Sequence, residues 1–363
     1  AEDGIRDKLV TGVQTCALPI FEVPAPKVRA YRDTRGPGSD GVAAMLAATE
    51  DRRDRAVLRL LYDLGLRRGE LVSLNYPDDP AALQTQFTNW FQSAPAHSAI
   101  PLRAIAAPHA SPGAAQRSYI SAYQALAQSL SKAEAAEKTF VILGTSHYGD
   151  IDRLGVTRKD FDTPAGRARV HPDLLAELHR HGGPGIADED YYFSLEHSVE
   201  FQVVFLQYLY GPNIQILPLL CGSYARSIYL GGAPEQSDDV RRYLDALREM
   251  NAKHAENLVW VLGVDMAHIG KRYDDEAPAT AHAGAMLDVE AKDRRRISAL
   301  NAGDTETFWS QVQEGRDPLK WCGSAPFYTY LRIRTETRGE LLDYEHWQID
   351  PESVVTYGAM RFS

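Results

Sequence analysis

The stretch WVLGVDMAHIG, residues 260–270, combines the pattern of a buried strand with candidate residues for a site. Its first five residues form a short, continuous apolar run, which is typical of a strand buried on both faces in a parallel sheet. Asp265 and His268 follow at once. Two titratable side chains therefore lie at the edge of a core, where they need either a structural or a functional reason.

Short apolar segments rich in β-forming residues predict four strands, at residues 103–107, 139–144, 214–220 and 257–264. Helical patterns lie between them, at residues 118–137, 195–211 and 238–254. This alternation predicts an α/β fold with a mostly parallel central sheet and helices on both faces. Residues 339–348 and 353–362 predict a C-terminal antiparallel hairpin with a short Asp-Pro turn.

Composition limits the classes of partner. The chain has 363 residues and a formal net charge of −10, which argues against nucleic acid, because phosphate binding requires a basic surface. No apolar run approaches the roughly 20 residues that span a bilayer, and the N-terminus lacks a signal-peptide pattern. Three cysteines in so long a chain form no disulfide framework. We therefore expect a cytoplasmic protein without a membrane partner.

The first 75 residues differ from the rest. Residues 1–22 resemble translated sequencing adapter, and we interpret them as an artefact. Residues 23–75 resemble the opening of a tyrosine recombinase catalytic domain, with Arg67 at the position of the first catalytic arginine. That family also needs a His-x-x-Arg motif, and none of the eleven histidines is followed by Arg three residues later. We expect a fused fragment over residues 23–75 and one α/β domain over residues 76–363.

Three of the predicted strands lead directly to histidines. Ligands of open α/β sheets bind beyond the carboxyl ends of the strands. The strand at 103–107 leads to His109, the strand at 139–144 leads to His147, and the strand at 257–264 leads to Asp265 and His268. One such histidine is usually a capping residue, but three together indicate a site.

Two further segments carry candidate residues. The pattern at 195–211 places Glu196 and His197 in the first turn of a helix, with Glu200 facing the same way as His197. Glu196 could equally be an acid favoured there by the helix dipole. Cys322 precedes an apolar helix, where it is either an inert buried thiol or a thiolate ligand of a metal. We assign Cys221 to the core.

Histidine nitrogens with one anionic ligand and open positions form the pattern of a reactive metal site. Two histidines and a carboxylate suit non-haem Fe(II), and a thiolate also suits copper or zinc. The spacing of these residues does not choose between the metals.

Several motifs resemble one family. The segments AAPHA, LGTSHYGD, DFDTPAG, EHSVEFQVVFLQYLYG, DMAH and WCGSAPFYTYL occur in the order found in the Memo family, also called AmmeMemoRadiSam system protein B. The resemblance covers residues 76–362. It implies a fold like that of the class III extradiol dioxygenases.

The resemblance also implies roles for individual residues. His109, His147 and Cys322 match the metal ligands of the family. Asp265 and His268 match its Asp-x-x-His position beside the metal. Asp265 would orient a pocket group or balance its charge, while His268 would act as acid and base or as a fourth, exchangeable ligand.

His197 matches a position in the pocket wall and, with His268, is a candidate for moving protons. The sequence departs from the family pattern in two places. Ser111 and Pro112 replace a Gly-Tyr pair after His109, which implies a different pocket entrance. Thr145 replaces the proline of a Pro-Ser-His motif, a change that we expect to be harmless.

Three functions are consistent with these assignments. The first is a redox enzyme with Fe(II), or copper, acting on a small-molecule substrate. The second is a non-catalytic binding or adaptor module that uses the pocket for an anionic ligand. The third is a zinc hydrolase with Glu196 or Asp265 as base. The resemblance further implies a functional link to a radical-SAM protein and an AMMECR-type protein.

Overall fold

Strands and helices alternate along the part of the chain that the structure describes. A computed structural model describes residues 76–77, 79–194 and 196–363, which belong to one of the two compact units of the chain. The adapter-like segment at 1–22 and the recombinase-like segment at 23–75 lie outside the described residues, so the boundaries proposed for them stay predictions.

The strands of the described residues are β1 (Ala104–Ala107), β2 (Thr139–Thr145), β3 (Leu154–Val156), β4 (Phe161–Thr163), β5 (Gly166–Val170), β6 (Ile186–Asp188), β7 (Gln215–Cys221), β8 (Leu258–Gly263), β9 (His268–Gly270), β10 (Gly339–Asp350) and β11 (Ser353–Phe362). The α-helices are α1 (Pro80–Phe91), α2 (Gln116–Ser129), α3 (Lys132–Ala135), α4 (Pro172–Gly182), α5 (Asp190–Phe193), α6 (Glu200–Tyr210), α7 (Ala225–Leu230), α8 (Asp238–His254), α9 (Ala285–Ala302), α10 (Thr305–Gln313) and α11 (Ser324–Ile333).

These strands form one large sheet with a parallel centre. Its main order is β10-β11-β1-β8-β2-β7-β3-β6. β1, β8, β2 and β7 pair in parallel. The β10–β11 hairpin joins antiparallel to β1, and β9 pairs antiparallel with β11. The predicted α/β class and the C-terminal hairpin are therefore confirmed.

The central strands are apolar because both of their faces are covered. Every residue of β1, β2 and β8 is buried. Helix α2 packs against β1, β10 and β11, while α11 packs against β2, β7 and β8. Strands buried in this way are near-continuous hydrophobic runs rather than alternating ones, as the sequence indicated.

Two predicted helices have different bounds in the structure. The helix predicted at 118–137 is interrupted, since Leu130 is extended and Ser131 starts α3 with a capping box to Glu134. The helix predicted at 195–211 begins only at Glu200, and it ends where Gly211 adopts a φ of 104°. Glu196 and His197 therefore precede the helix, and the prediction that they form its first turn is wrong.

Among the described residues, we find no helix with the length and apolar character needed to cross a membrane.

Candidate metal centre

Three adjacent strands bring their carboxyl ends to one edge of the sheet. β1, β8 and β2 lie side by side and run parallel. His109, His147 and Asp265 each lie two residues beyond the end of one of these strands. The structure thus brings together three of the four side chains that the strand ends indicated, which are His109, His147 and Asp265.

His109, His147 and Cys322 form a close group, which we call the His/His/Cys cluster. One ligand atom from each residue lies within 4.8 Å of the other two. The Sγ atom of Cys322 is 3.3 Å from Nε2 of His109. Both histidines are buried, and Cys322 is partly exposed. Two imidazole nitrogens and one sulfur at these separations can converge on a single metal ion.

Backbone and carboxylate contacts fix the orientation of His109. Its Nδ1 lies 3.0 Å from the carbonyl oxygen of Gly263, which can only accept, so Nδ1 carries the proton. Nε2 therefore faces the cluster. Asp265 Oδ1 accepts the backbone N–H groups of His109 and Ala110 at 3.0 and 3.1 Å. Asp265 thus holds the loop that carries His109, and its Oδ2 lies 3.5 Å from Nε2 of that histidine.

Glu196 orients His147 in a similar way. Both carboxylate oxygens lie 2.9 Å from Nδ1 of His147, and Oε2 also accepts the backbone N–H of His147. Oε1 accepts the backbone N–H groups of His197 and Ser198. Nε2 of His147 is buried and makes no hydrogen bond within the described residues. That nitrogen is aimed into the cluster, where a metal ion could take the place of its proton.

Cys322 reaches the cluster from the turn before α11. The backbone N–H of Gly323 donates to the carbonyl of Asp265 at 3.1 Å. The Thr145 hydroxyl donates to the carbonyl of Cys322 at 2.9 Å. Thr145 therefore ties the end of β2 to the segment of Cys322, which a proline at this position could not do.

The charges around the cluster shift the pKa values of its histidines. Burial alone would lower the pKa of His109, but Cys322 and Asp265 raise it to about 9. Burial likewise opposes the Glu196 carboxylate and Cys322, which together raise the pKa of His147 to about 10. The His147 imidazole outweighs burial at Glu196 and holds the pKa of that carboxyl well below its usual range. The charged groups around the cluster therefore stabilise positive charge at the two Nε2 positions.

His197 lies beside the cluster. Its ring centroid is 5.2 Å from that of His109 and 5.7 Å from that of His147. About a third of the side chain is accessible, at 35%. The loss of solvent around the ring, together with the positive charge of the nearby His109 and His147 imidazoles, lowers the pKa of His197 to about 4. The Glu196 carboxylate opposes this shift. His197 is therefore neutral at pH 7.

His268 is buried in the segment that follows Asp265. Its Nδ1 lies 2.9 Å from the carbonyl of Met266 and 3.1 Å from that of Lys320, and its ring packs edge to face on Tyr273. Within the described residues, His268 does not belong to the His/His/Cys cluster. Its assignment as acid and base or as a fourth ligand stays a prediction.

The fold and the cluster define a class: an α/β protein with two imidazoles and a thiol converging at the carboxyl edge of a central parallel sheet. The comparison with known families gives a more specific result. The chain belongs to the Memo-like protein family, whose model matches residues 67–361.

Curated relatives are similar over much of the chain. A MEMO1 family protein of Aquifex aeolicus is 25% identical over 264 residues, which are 72% of this chain and 63% of that protein. The match thus spans less than two thirds of the Aquifex protein. The MEMO1 family protein PF1638 of Pyrococcus furiosus is 26% identical over 296 residues, which are 77% of this chain and 91% of that protein.

Among solved structures, an uncharacterized protein of Escherichia coli K12, JW3007, aligns with a TM-score of 0.35 and 13% identity, over 62% of this chain and 86% of that chain.

Glu196 is the residue whose position sequence reasoning missed. The helical pattern assigned it to a first turn, whereas the carboxylate is buried and holds His147. The sequence did contain a signal for this role. An acidic residue next to a long apolar segment is buried together with that segment, and a buried carboxylate requires hydrogen-bond donors.

Proposed function

We propose that this protein binds Fe(II), or copper, through Nε2 of His109, Nε2 of His147 and Sγ of Cys322, and acts in redox chemistry on a small molecule. The convergence of the three ligand atoms within 4.8 Å carries the proposal. The set of two nitrogens and one sulfur suits a redox-active transition metal and leaves coordination positions open.

The residues fit a metal ion on independent grounds. Nε2 of His147 is a buried polar atom without a hydrogen bond in the described part of the chain, and such atoms require an explanation. The two Nδ1 atoms face a carbonyl and a carboxylate, as in the partner arrangement that orients metal-binding histidines. A bound metal ion would satisfy the orphaned nitrogen.

When bound, the metal would supply open coordination positions and one-electron chemistry. Asp265 would keep His109 in place through the two backbone N–H groups that it accepts. His197 lies beside both cluster imidazoles, and we assign it to accept a proton from a metal-bound group, although its lowered pKa makes it a weak base at pH 7. We assign proton transfer to His268 as well, on its family position alone.

The charges favour a cation over an anionic ligand. With both cluster imidazoles protonated, the site would carry two positive charges. The carboxylates of Asp265 and Glu196 and a Cys322 thiolate would carry three negative charges, so the net charge of the site would still be negative. An adaptor site for an anion would need a surplus of positive charge.

Glu196 is fully engaged in hydrogen bonds with His147 and the neighbouring backbone, which makes it a poor base for a zinc hydrolase.

The functional link to a radical-SAM protein and an AMMECR-type protein also stays a proposal. The family alone supports it, through the resemblance described above. Such a link would place the small-molecule substrate in a shared pathway.

Metal content after anaerobic, chelator-free purification without a histidine tag tests the proposal. We expect near-stoichiometric iron or copper by mass spectrometry, with most of it lost in Cys322→Ala and in His109→Ala. Cys221→Ala is the matched control, because Cys221 is a buried thiol at the end of β7 outside the cluster. Equal metal content in Cys322→Ala and Cys221→Ala would refute the assignment. So would a wild-type protein that takes up no Fe(II), Cu(I) or Zn(II).

A further inference from the structure

Helix α9 presents two buried charged side chains to the loop that precedes Cys322. Asp293 and Arg296 lie three residues apart and therefore share one side of the helix. Both are almost completely buried. Buried charges are expensive unless they are paired or hydrogen-bonded, so their partners identify what they hold.

Asp293 binds the residue next to Cys322. Its Oδ1 accepts the indole N–H of Trp321 at 2.6 Å, and both side chains are buried. Its Oδ2 accepts the hydroxyl groups of Tyr344 and Thr356 at 2.7 and 2.6 Å. The carboxylate is thus fully satisfied, and one of its three donors belongs to the segment that delivers the thiol.

The same carboxylate reaches the segment between Asp265 and His268. The Thr356 hydroxyl that donates to Asp293 accepts the backbone N–H of Ala267 at 2.8 Å. The backbone of Thr356 also bonds to Met266 and Ala267, at 2.8 Å in each case. Asp293 therefore links the Cys322 segment to the segment that carries Asp265.

Arg296 holds the start of the same loop. Its guanidinium lies 2.8 Å from Oδ1 of Asp317 in a buried ion pair. It also donates to the carbonyl of Gln311 and lies 5.3 Å from the ring centroid of Trp321. Asp293 and Arg296 thus contact the loop at two residues, Asp317 and Trp321.

The backbone of this loop needs such support. Arg316, Asp317 and Lys320 have φ values of 62°, 57° and 54°, in the left-handed region that residues with a side chain rarely adopt. Conformations of this kind persist only where the surrounding structure fixes them, and they cluster at functional sites. The loop ends at Cys322, so its conformation decides where the thiol lies.

We propose that Asp293 and Arg296 are positioning residues for Cys322, which fix the loop at 316–322 so that the thiol faces His109 and His147; the inference rests on the proposed metal function. Neither residue is a ligand. Their contribution is to hold sulfur at the distance from the two imidazole nitrogens that one metal ion requires.

The test compares Trp321→Phe and Asp293→Asn with the wild type. Trp321→Phe keeps an aromatic ring and removes the donor to Asp293, while Asp293→Asn removes the charge and keeps one acceptor oxygen. Tyr243→Phe is the matched control, since it deletes a buried hydroxyl from the network with Tyr224 and Thr329, which contains no cluster residue.

The first measurement is amide hydrogen exchange in the metal-free, full-length protein. The N–H of Lys320 bonds to Asp317, and the N–H of Gly323 bonds to Asp265. Both amides should exchange about tenfold faster in the two variants and stay within about twofold of wild type in Tyr243→Phe. Unchanged exchange in both variants would overturn the inference.

The second measurement is Co(II) titration, followed by the thiolate-to-cobalt charge-transfer absorption. The Kd should rise by about ten- to a hundredfold in Trp321→Phe and Asp293→Asn, with a weaker or shifted band at saturation, and not in Tyr243→Phe. A wild-type Kd and band in both variants would also overturn the inference. If the wild type takes up no Co(II), the proposed metal site fails, and the exchange rates alone decide whether these residues position the loop.

Discussion

Glu196 connects the orientation of one cluster histidine to the backbone around it. Its carboxylate accepts Nδ1–H of His147 and the backbone N–H groups of His147, His197 and Ser198. A neutral side chain in its place would orient the imidazole less strongly, because hydrogen bonds to a carboxylate are about twice as strong as neutral ones.

We therefore expect Glu196→Gln to weaken Co(II) or Zn(II) binding by about ten- to a hundredfold, as other partners of metal-binding histidines do. Competition with a chromogenic chelator would measure the Kd. Glu177→Gln is the control, because Glu177 pairs with Lys253 and His254 instead of a cluster residue. Equal affinities in the two variants would show that the Glu196 charge has no part in metal binding.

The raised pKa values of His109 and His147 predict how metal affinity depends on pH. Both imidazoles are protonated at pH 7 in the metal-free protein, with pKa values of about 9 and 10. A metal ion must displace one proton from each Nε2, so affinity should rise with pH from 6 to 8, by about tenfold per pH unit for each imidazole.

Calorimetry in two buffers of different ionisation enthalpy would count the protons released on metal binding. We expect a release of about two protons at pH 7. His147→Ala should bind metal more weakly and release about one proton fewer. An affinity that is flat between pH 6 and 8 would contradict the protonated state of the two imidazoles.

Among the elements, the sequence predicted the four central strands and the C-terminal hairpin, but it predicted none of the short strands β3, β4, β5, β6 and β9. The strand predicted at 257–264 is β8, Leu258–Gly263, and the hairpin at 339–348 and 353–362 is formed by β10 and β11. A continuous apolar run indicates a strand that is buried on both faces, and strands buried in this way lie at the centre of the sheet, as β1, β2 and β8 do.

The missed bounds have physical causes beyond periodicity. The break after Ser129 depends on a capping box at Ser131, although the Ser-x-x-Glu pattern was visible in the sequence. The late start of α6 depends on a tertiary contact, since Glu196 is held by His147, a residue 49 positions earlier. Local propensity contains no information on such a partner.

The turn that carries Cys322 is also constrained by a close approach of two backbones. A Cβ atom on Gly323 would lie 2.7 Å from the carbonyl oxygen of Asp265 and 2.8 Å from Cβ of Val264. Only glycine allows the start of α11 to approach the end of β8 this closely.

Gly323→Ala should therefore destabilise the protein by about 1–3 kcal/mol, the typical cost of overpacking, and displace the thiol from the histidines. Urea unfolding would measure the first effect, and a weaker Co(II) charge-transfer band the second. Gly113→Ala is the control, because the nearest atom to its Cβ would be Ser111 Oγ at 4.0 Å. Gly323→Ala with wild-type stability and Co(II) affinity would contradict the close packing.

The site as a whole depends on the order of strands in the sheet. His109 and Cys322 lie 213 positions apart in sequence and 3.3 Å apart in space. The C-terminal hairpin contributes as well, because β11 pairs with β1 and β9, and Thr356 holds the residues after Asp265. Strand ends in the sequence identified His109, His147, Asp265 and His268 as candidates and left Cys322 as either an inert thiol or a ligand. The choice of Cys322 as a ligand required the family resemblance.

A metal ion bound by residues so distant in sequence should stabilise the folded chain as a unit. The ligand set does not exist in the unfolded chain, so metal at about 100 times its Kd should add about 2.7 kcal/mol to the free energy of unfolding. When Zn(II) is added to the metal-free protein, the Tm of thermal unfolding should therefore rise by on the order of 5 °C. Cys322→Ala should lose most of this rise, whereas Cys221→Ala, whatever its starting Tm, should keep it. A rise of equal size in both variants would mean that the ion stabilises the protein from another site.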